Sequence, residues 1–182
     1  MIIEKVREFV TKSCEDDEVK HLERTLYWIK ELKSCANEAL KIAALTHDID
    51  RCLKNEGCAD DFKKVRHSPN SKYYMEHQKK SARIVSNFLE NINADENLIK
   101  EVTFLIEHHE SGGTPEADVL KDADSLSFFE NNAYSILEKF AKLDKETVKE
   151  KFDFMFNRIS SEKAKNIAKP MYEKLIKKLE EI

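Results

Sequence analysis

Hydrophobic residues recur every three or four positions along most of the chain, which is the spacing of one face of an α-helix. The first such stripe consists of Ile2, Ile3, Val6, Phe9 and Val10. The pattern predicts further helices over about residues 16–33, 36–49, 71–91, 95–110 and 116–129, and two or three more in the remainder, the last entered or kinked near Pro170. No stretch alternates as a half-buried strand would, and we find neither an internal repeat nor a linker. We therefore predict one all-α domain over residues 1–182.

Two segments interrupt this periodicity. Residues 52–71 contain Gly57 and Pro69 and show no clear pattern, so we interpret them as a long, partly ordered loop. Loops of this length are often lids or binding segments. The second interruption, "SGGTP", separates the fifth predicted helix from the sixth.

Composition supports the helical prediction. The chain has 3 Gly and 3 Pro among 182 residues, while charged residues make up 36%, so it offers few of the turn residues that an all-β fold needs. A net charge of −4 and a pI near 5.9 argue against a nucleic-acid polymer as the main partner.

The sequence also indicates the cellular compartment and the state of the cysteines. It contains no apolar run of 18 residues, so we expect no transmembrane helix, and its first segment lacks the apolar region of a signal peptide. We therefore expect a cytoplasmic protein. The cysteines form no C-x-x-C pair, and we expect all of them to be reduced thiols: Cys14, Cys35, Cys52 and Cys58.

The stretch "LTHDID" at residues 45–50 places polar side chains directly behind the apolar run "ALKIAAL". A helix this apolar should be buried, so His47 and Asp48 should be buried with it. Burying an unpaired neutral polar group costs roughly 2–7 kcal/mol, so something must compensate for that cost. A metal ion is one candidate.

Several of the six histidines lie in line with apolar helix faces. His77 shares a face with Ile84 and Phe88, and His109 continues the stripe of Val102 and Leu105. His21 flanks the stripe of the second helix. A single inward histidine is usually an ordinary core residue, but several together favour a metal, because each buried imidazole needs partners for two nitrogens. Imidazole with carboxylate suits Mn, Fe, Co, Ni or Zn, and Mg is a further candidate.

The sixth predicted helix carries two aspartates, Asp122 and Asp124, within "LKDADSL". Two positions along a helix turn the side chain by about 200°, so only one of them can face the interior. Periodicity alone does not choose between them.

The order of these residues resembles the signature of the HD-domain superfamily of metal-dependent phosphohydrolases. "HLERTLYWIKEL" is similar to that family's first histidine helix, "AALTHDID" to its HD helix, and "EADVLKDADSL" to its closing segment, in which the metal-binding aspartate is the one in "AD-x-L". The resemblance covers about residues 15–135, implies an HD-type helical bundle, and leaves residues 136–182 unmatched. It implies a metal site made by His21, His47, Asp48 and Asp124.

Two departures from the family pattern carry information. Phosphomonoesterases of the superfamily often have Glu three residues after the HD aspartate, where this chain has Arg51; Asp50 could contribute in its place. His77 and the "HHE" that begins at His108 and includes His109 resemble the subset with a second metal. We expect a second metal here or, failing that, a bound phosphate. The GYP tripeptide of HD-GYP phosphodiesterases is missing, so we do not assign their substrate.

The resemblance implies that the protein hydrolyses a small phosphate ester, and we expect a nucleotide-like substrate. The attacking water would be activated on one divalent ion, and a second ion could bind beside it. Asp48 and Asp50 are the catalytic candidates. The candidate phosphate contacts are Arg24, Arg51 and Lys80, and an entry rim is predicted at Lys63, Lys64, Arg66 and Lys72. No sequence pattern places Arg158 near the site.

Two alternatives remain open. A diiron oxygenase could use the same scaffold with His77 and His109 on the second iron. A non-catalytic regulatory module could keep the metal or a nucleotide without turnover.

Overall fold

A computed structural model of the protein describes residues 1–53, 71–142 and 144–182, and throughout these ranges every regular element is a helix. The protein is therefore all-α, as predicted. The helices are α1 Ile2–Ser13, α2 Asp16–Leu32, α3 Glu38–Thr46, α4 Ile49–Cys52, α5 Lys72–Asn91, α6 Glu96–Glu107, α7 Pro115–Glu130, α8 Asn132–Phe140, α9 Lys145–Asn157 and α10 Glu162–Glu180.

Most of these helices begin at a residue whose side chain accepts a hydrogen bond from a backbone N–H group of the first turn, which the helix itself leaves unpaired. Such caps are Asn37, Ser71, Asp95, Thr114, Asp144 and Ser161. The prediction of two or three helices in the last part of the chain is confirmed by three, and Pro170 lies inside α10.

Two predicted helices end early, and both changes concern histidines. The helix predicted over residues 36–49 ends at Thr46, and Asp48 has φ −104° and ψ 15°, a conformation that interrupts the α-helix before α4 begins. The helix predicted over residues 95–110 ends at Glu107, where His108 has φ −119° and ψ 8°. His47, Asp48 and His109 therefore lie in turns at helix ends, and not inside helices.

The buried hydrophobic residues form two clusters joined by α7. The first is built by α1, α2, α3, α5 and α6, and the amino-terminal half of α7 adds Ala117, Leu120 and Ala123 to it. The second is built by α8, α9 and α10, and the carboxyl-terminal half of α7 adds Leu126 and Phe129. The position of α7 brings the last three helices next to the part of the chain that carries the histidines.

The cysteine prediction is wrong for one pair. Cys14, at the end of α1, and Cys52, at the end of α4, form a disulfide, whereas Cys35 is free and exposed. The reason is spatial: the break at Asp48 turns α4 back against α1, and sequence spacing does not reveal this proximity. Cys58 lies outside the described residues.

Most of the predicted loop at residues 52–71 lies outside the described residues, and so do the rim candidates Lys63, Lys64 and Arg66. The remaining rim candidate, Lys72, is exposed and pairs with Glu76 at 3.6 Å. Within the described ranges, no helix has both the length and the apolar character needed to cross a membrane.

Candidate metal centre

Side chains from five parts of the chain meet in one buried cluster. They come from α2, from the turn between α3 and α4, from α5, from the turn after α6, and from α7. All are 7% exposed or less: His21, His47, Asp48, His77, His109 and Asp124.

The four residues predicted for the first metal site lie close together. The Nε2 atoms of His21 and His47 lie 3.2 and 3.5 Å from Oδ1 of Asp124. The same two nitrogens lie 3.9 Å from the carboxylate oxygens of Asp48. The ligand atoms of His21, His47 and Asp48 all fall within 4.8 Å of one another, which is close enough for one ion to contact all three.

The second group shares Asp48 with the first. Oδ1 of Asp48 lies 2.9 Å from Nε2 of His77 and 3.6 Å from Nε2 of His109. The ligand atoms of these three residues also fall within 4.8 Å of one another. Asp48 therefore stands between two groups of ligands, as a carboxylate that bridges two ions would.

Backbone carbonyl groups fix the orientation of two histidines. Nδ1 of His47 lies 3.1 Å from the carbonyl oxygen of Ala44, and Nδ1 of His109 lies 2.7 Å from that of Ile106. A carbonyl oxygen only accepts hydrogen bonds, so Nδ1 carries the proton in both rings. In the neutral rings, Nε2 then presents a lone pair to the cluster.

His21 is held in the same way by a serine. The hydroxyl of Ser127 donates to the carbonyl oxygen of His21 at 2.7 Å, so its oxygen accepts from Nδ1 of the same residue at 2.9 Å. The third Nε2 lone pair therefore also faces the carboxylates.

This arrangement fits a cation. Among the described residues, the buried Nε2 atoms of His47 and His109 have no hydrogen-bond partner. Lone pairs directed at carboxylate oxygens repel them unless a positive charge lies between, and burial strengthens that repulsion. A divalent ion would satisfy both the nitrogens and the oxygens, and the donor set of imidazole and carboxylate suits a transition metal.

Asp50, a catalytic candidate, lies behind His77. Its Oδ1 is 2.6 Å from Nδ1 of His77 and accepts a hydrogen bond from the hydroxyl of Ser81 at 3.1 Å. In metal sites, a carboxylate placed in this way orients the imidazole ligand and makes it more basic. The geometry gives Asp50 a positioning role.

A tight turn presents His109 and the residue after it, Glu110. The N–H of Gly112 donates to the carbonyl oxygen of His108 at 2.7 Å, and Gly112 has φ +71°. A Cβ at this glycine would lie 2.0 Å from Oδ1 of Asp118, so a side chain there would collide with the first turns of α7.

Glu110 is a functional candidate that sequence reasoning missed, and Arg158 is one that it considered but could not place near the site. Arg158, which caps α9, pairs with Oε2 of Glu110 and with Oδ2 of Asp124, and its side chain is 5% exposed. Its Nε donates to the hydroxyl of Ser125 at 2.9 Å. The available signal was the spacing of Val148, Lys151, Met155 and Arg158, which form one buried stripe on α9 and its cap.

Arg51, a predicted phosphate contact, lies at this end of the cluster. Its Nη1 lies 3.0 Å from Oδ2 of Asp48, and its Nη2 lies 4.0 Å from Oε1 of Glu110. The Arg51 side chain is 32% exposed, so it connects the buried carboxylates with solvent.

The structure does not bring three other candidates to the cluster. Arg24 makes two hydrogen bonds, of 2.7 and 2.8 Å, to Glu130, so its guanidinium is already occupied. Lys80 is exposed on the outer face of α5. His108 stacks on Phe104 with ring centroids 4.2 Å apart, because the turn after α6 directs His109 inward instead.

The two aspartates of α7 have different partners, but the expectation that only one of them can face the interior is wrong: both are buried, because the connection between α9 and α10 covers the side of α7 that carries Asp122. Asp124 faces the histidines. Asp122 accepts hydrogen bonds from the backbone N–H groups of Ser160 and Ser161 at 2.7 and 2.9 Å, and so holds the connection between α9 and α10.

The carboxylates of the cluster are strongly acidic. Burial alone would raise the pKa of Asp48, but Arg51, His47 and His77 outweigh it and hold the pKa well below its usual range. For Asp124 burial is likewise outweighed, chiefly by Arg158 and His21, and its pKa is also well below its usual range. Both groups are therefore anionic at neutral pH.

Two histidines shift in opposite directions without a metal. Burial and Arg51 oppose protonation of His77, but Asp48 and Asp50 outweigh them and raise its pKa from 6.5 to about 9. Burial dominates at His109 and lowers its pKa from 6.5 to about 4.

These shifts predict a pH dependence for metal-free protein. The folded state of His77 binds its proton more tightly than the unfolded state, so its contribution is complete below pH 6.5 and is lost as the pH rises to about 9. We expect the free energy of unfolding of chelator-treated protein to fall over that window. Urea unfolding at pH 6.5, 7.5 and 9 measures the slope, and His77→Gln should flatten it. An equal slope in the variant would contradict the assignment.

Comparison with known proteins agrees with the fold. The family described as Domain of unknown function (DUF4202) matches residues 5–182. A crystal structure of a predicted HD superfamily hydrolase from an uncultured Thermotogales bacterium is similar over 98% of this chain and 89% of that one, with a TM-score of 0.61 and 18% identity. This similarity shows an HD-like helical fold. No curated protein matches the chain. Because the family match spans nearly the whole sequence, the chain belongs to the DUF4202 family.

Proposed function

We propose that the protein is an HD-type metal-dependent phosphohydrolase that acts on a small, nucleotide-like phosphate ester. The observation that carries this proposal is the pair of buried Nε2 atoms, of His47 and His109, that lack a partner among the described residues and face the shared carboxylate of Asp48. The fold similarity to a predicted HD superfamily hydrolase supports the reaction class.

His21, His47, Asp48 and Asp124 would hold the metal. When bound, a divalent ion there would supply a Lewis acid that makes water acidic and neutralises phosphoryl oxygens. The chain itself supplies the orientation: Ser127 and the carbonyl of Ala44 fix the two imidazoles, and Arg158 holds one oxygen of Asp124 so that the other faces them.

The charge of the site suits a phosphate. Near the histidines lie four carboxylates, of Asp48, Asp50, Glu110 and Asp124, and two guanidinium groups, of Arg51 and Arg158, so these groups sum to −2 with neutral imidazoles. One divalent ion would neutralise that charge and two would make it +2, which attracts a phosphate ester. Arg51 is the phosphate contact we propose, because its planar fork can bind two phosphate oxygens.

A second ion would use Asp48, His77 and His109. Paired ions about 3.5–4 Å apart hold the attacking and leaving oxygens of a displacement at phosphorus. If only one ion binds, His77, oriented by Asp50, is the group that would protonate the leaving oxygen.

Replacing His77 by alanine tests the second site. We expect about two metal ions per chain in protein purified with generous Fe or Mn and without chelators, and about one in His77→Ala, because only the second group loses a ligand. Elemental analysis gives the ratio. His108→Ala is the matched control, since that ring stacks on Phe104 outside the cluster, and it should keep both ions. Equal metal content in wild type and His77→Ala would remove the second site.

The activity is tested with a panel of phosphate monoesters and diesters, including nucleotides, in the presence of Mn, Co, Ni, Mg, Zn or Fe. Metal-dependent release of phosphate, lost in His47→Ala, is the expected result. Metal-replete protein that hydrolyses nothing in the panel would contradict the proposal. Oxygen uptake by the iron-loaded protein, without phosphate release, would identify a diiron oxygenase instead.

A further inference from the structure

Lys151 is a buried lysine that the proposed mechanism does not use. It lies on the stripe of α9 that also contains Val148 and Met155, and it is 9% exposed. Lysine is rarely this buried without a partner of opposite charge.

The surroundings of Lys151 are aromatic. Its ammonium nitrogen lies 5.4, 5.5 and 5.3 Å from the ring centroids of Tyr74, Phe128 and Phe154. It donates one hydrogen bond, of 3.1 Å, to the hydroxyl of Tyr74.

No carboxylate among the described residues lies within 4.0 Å of this nitrogen, and one hydrogen bond leaves two of its three N–H donors unused. Contacts with aromatic faces offset only part of the cost of burying an ammonium group. Within the part of the chain that the structure describes, the ammonium group of Lys151 therefore lacks an anionic partner.

Lys151 is directed to the same place as Arg158. The two residues are seven positions apart, which is two helical turns, so they share one face of α9 and its cap. Both lie against the same aromatic ring: Nζ of Lys151 is 5.3 Å and Cζ of Arg158 is 5.7 Å from the ring centroid of Phe154. The oxygens of Glu110 face Arg158 and Arg51, and neither is within ion-pair distance of Lys151.

We propose that Lys151 provides the cation of an anion subsite beside the histidine–aspartate cluster, which binds a phosphate or carboxylate group of the substrate. This inference rests on the proposed function for its biological meaning, because the substrate reacts at the adjacent metal centre. It gives α9 a role, because this helix adds a cation to the end of the site where the HD-like part of the chain supplies Arg51.

Titration with inorganic phosphate tests the subsite. Lys151→Met removes the charge but leaves an unbranched apolar side chain for the aromatic surroundings, so the variant should fold. We expect phosphate to bind the metal-loaded variant about tenfold more weakly than wild type, because one charge-assisted hydrogen bond is lost. The metal content should not change. Isothermal titration calorimetry measures both affinities.

Lys149→Met is the matched control. Lys149 lies on the same helix, is 54% exposed, and pairs with Asp153 at 2.7 Å, so its loss should leave phosphate affinity unchanged. Equal phosphate affinity in Lys151→Met and wild type would overturn the subsite.

A second measurement needs no variant. Acetylation of wild-type lysines by acetic anhydride, read by mass spectrometry, should slow at Lys151 when phosphate is present and stay constant at Lys149. Lack of protection at Lys151 under phosphate saturation would overturn the proposal even if Lys151→Met failed to fold.

The two proposals fail in different ways. Phosphate that binds through Lys151 in a protein that hydrolyses nothing would leave the subsite standing and remove the phosphohydrolase. If the protein hydrolyses phosphate esters with metal but Lys151→Met binds phosphate as tightly as wild type, the phosphohydrolase would stand and the subsite would be removed.

Discussion

Asp48→Ala should abolish metal binding at both ligand groups and, with it, all phosphatase activity. Asp48 is the one residue common to both groups, and its two oxygens face His21, His77 and His109. We expect metal affinity to fall by more than the roughly 10- to 100-fold typical of residues that merely support a ligand. Elemental analysis and phosphate release measure the two losses.

The fold should survive this substitution. Asp48 lies in the turn between α3 and α4, outside both helices, and hydrophobic residues on either side of the turn form the core. The circular dichroism of Asp48→Ala should therefore remain close to that of wild type. Asp48 also pairs with Arg51 and His77, so metal-free Asp48→Ala should lose some stability while it remains folded.

Asp122→Asn provides the contrast. Asp122 is equally buried but accepts its hydrogen bonds from the backbone of Ser160 and Ser161, so this variant should lose stability and keep its metal. Hydrogen bonds to a charged group contribute about 1.5–3 kcal/mol each. A fully active, metal-replete Asp48→Ala protein would refute the metal centre, and a metal-free Asp122→Asn protein would show that metal loss merely follows destabilisation.

The helices could be predicted from the sequence because their signals are local. Apolar spacing and capping residues such as Asn37 and Thr114 act within a few positions, and the structure follows them closely. The family motif also pointed to His21, His47, Asp48 and Asp124, which the fold brings together. A motif records the order of residues, and here that order coincides with a spatial cluster.

What the sequence did not reveal depends on contacts between distant segments. The ion pair of Glu110 with Arg158 joins positions that are 48 residues apart, and the disulfide joins Cys14 to Cys52, which are 38 apart. Neither has a periodic signal of its own. The breaks at Asp48 and His108 were also missed, because continuous apolar stripes extend across both helix ends.

Arg158→Met should be the most destabilising substitution of those considered. Its guanidinium pairs with Glu110 and Asp124, whose side chains are 3% and 8% exposed, so its removal leaves buried carboxylates with less compensation. Breaking a buried pair by removing one partner costs about 3–5 kcal/mol. Urea unfolding of metal-free protein at pH 7 measures this loss.

The pH dependence of the loss identifies its cause. Despite burial, Arg158 keeps the pKa of both carboxyls low, so their contribution to stability is present at neutral pH and is lost as the pH falls through their folded pKa values. The difference between wild type and Arg158→Met should therefore be largest near pH 7 and shrink under acid conditions, where the carboxyls of the variant take up protons first.

Two further variants separate lost pairing from lost packing. Glu110→Gln added to Arg158→Met should restore part of the stability, because one of the unpaired charges is removed with it. Arg7→Met breaks a pair with Glu23 whose side chains are 37% and 39% exposed, and it should cost less than about 1 kcal/mol. An Arg158→Met protein as stable as Arg7→Met would mean that the buried carboxylates do not depend on this guanidinium, and that Asp124 is oriented by the histidines alone.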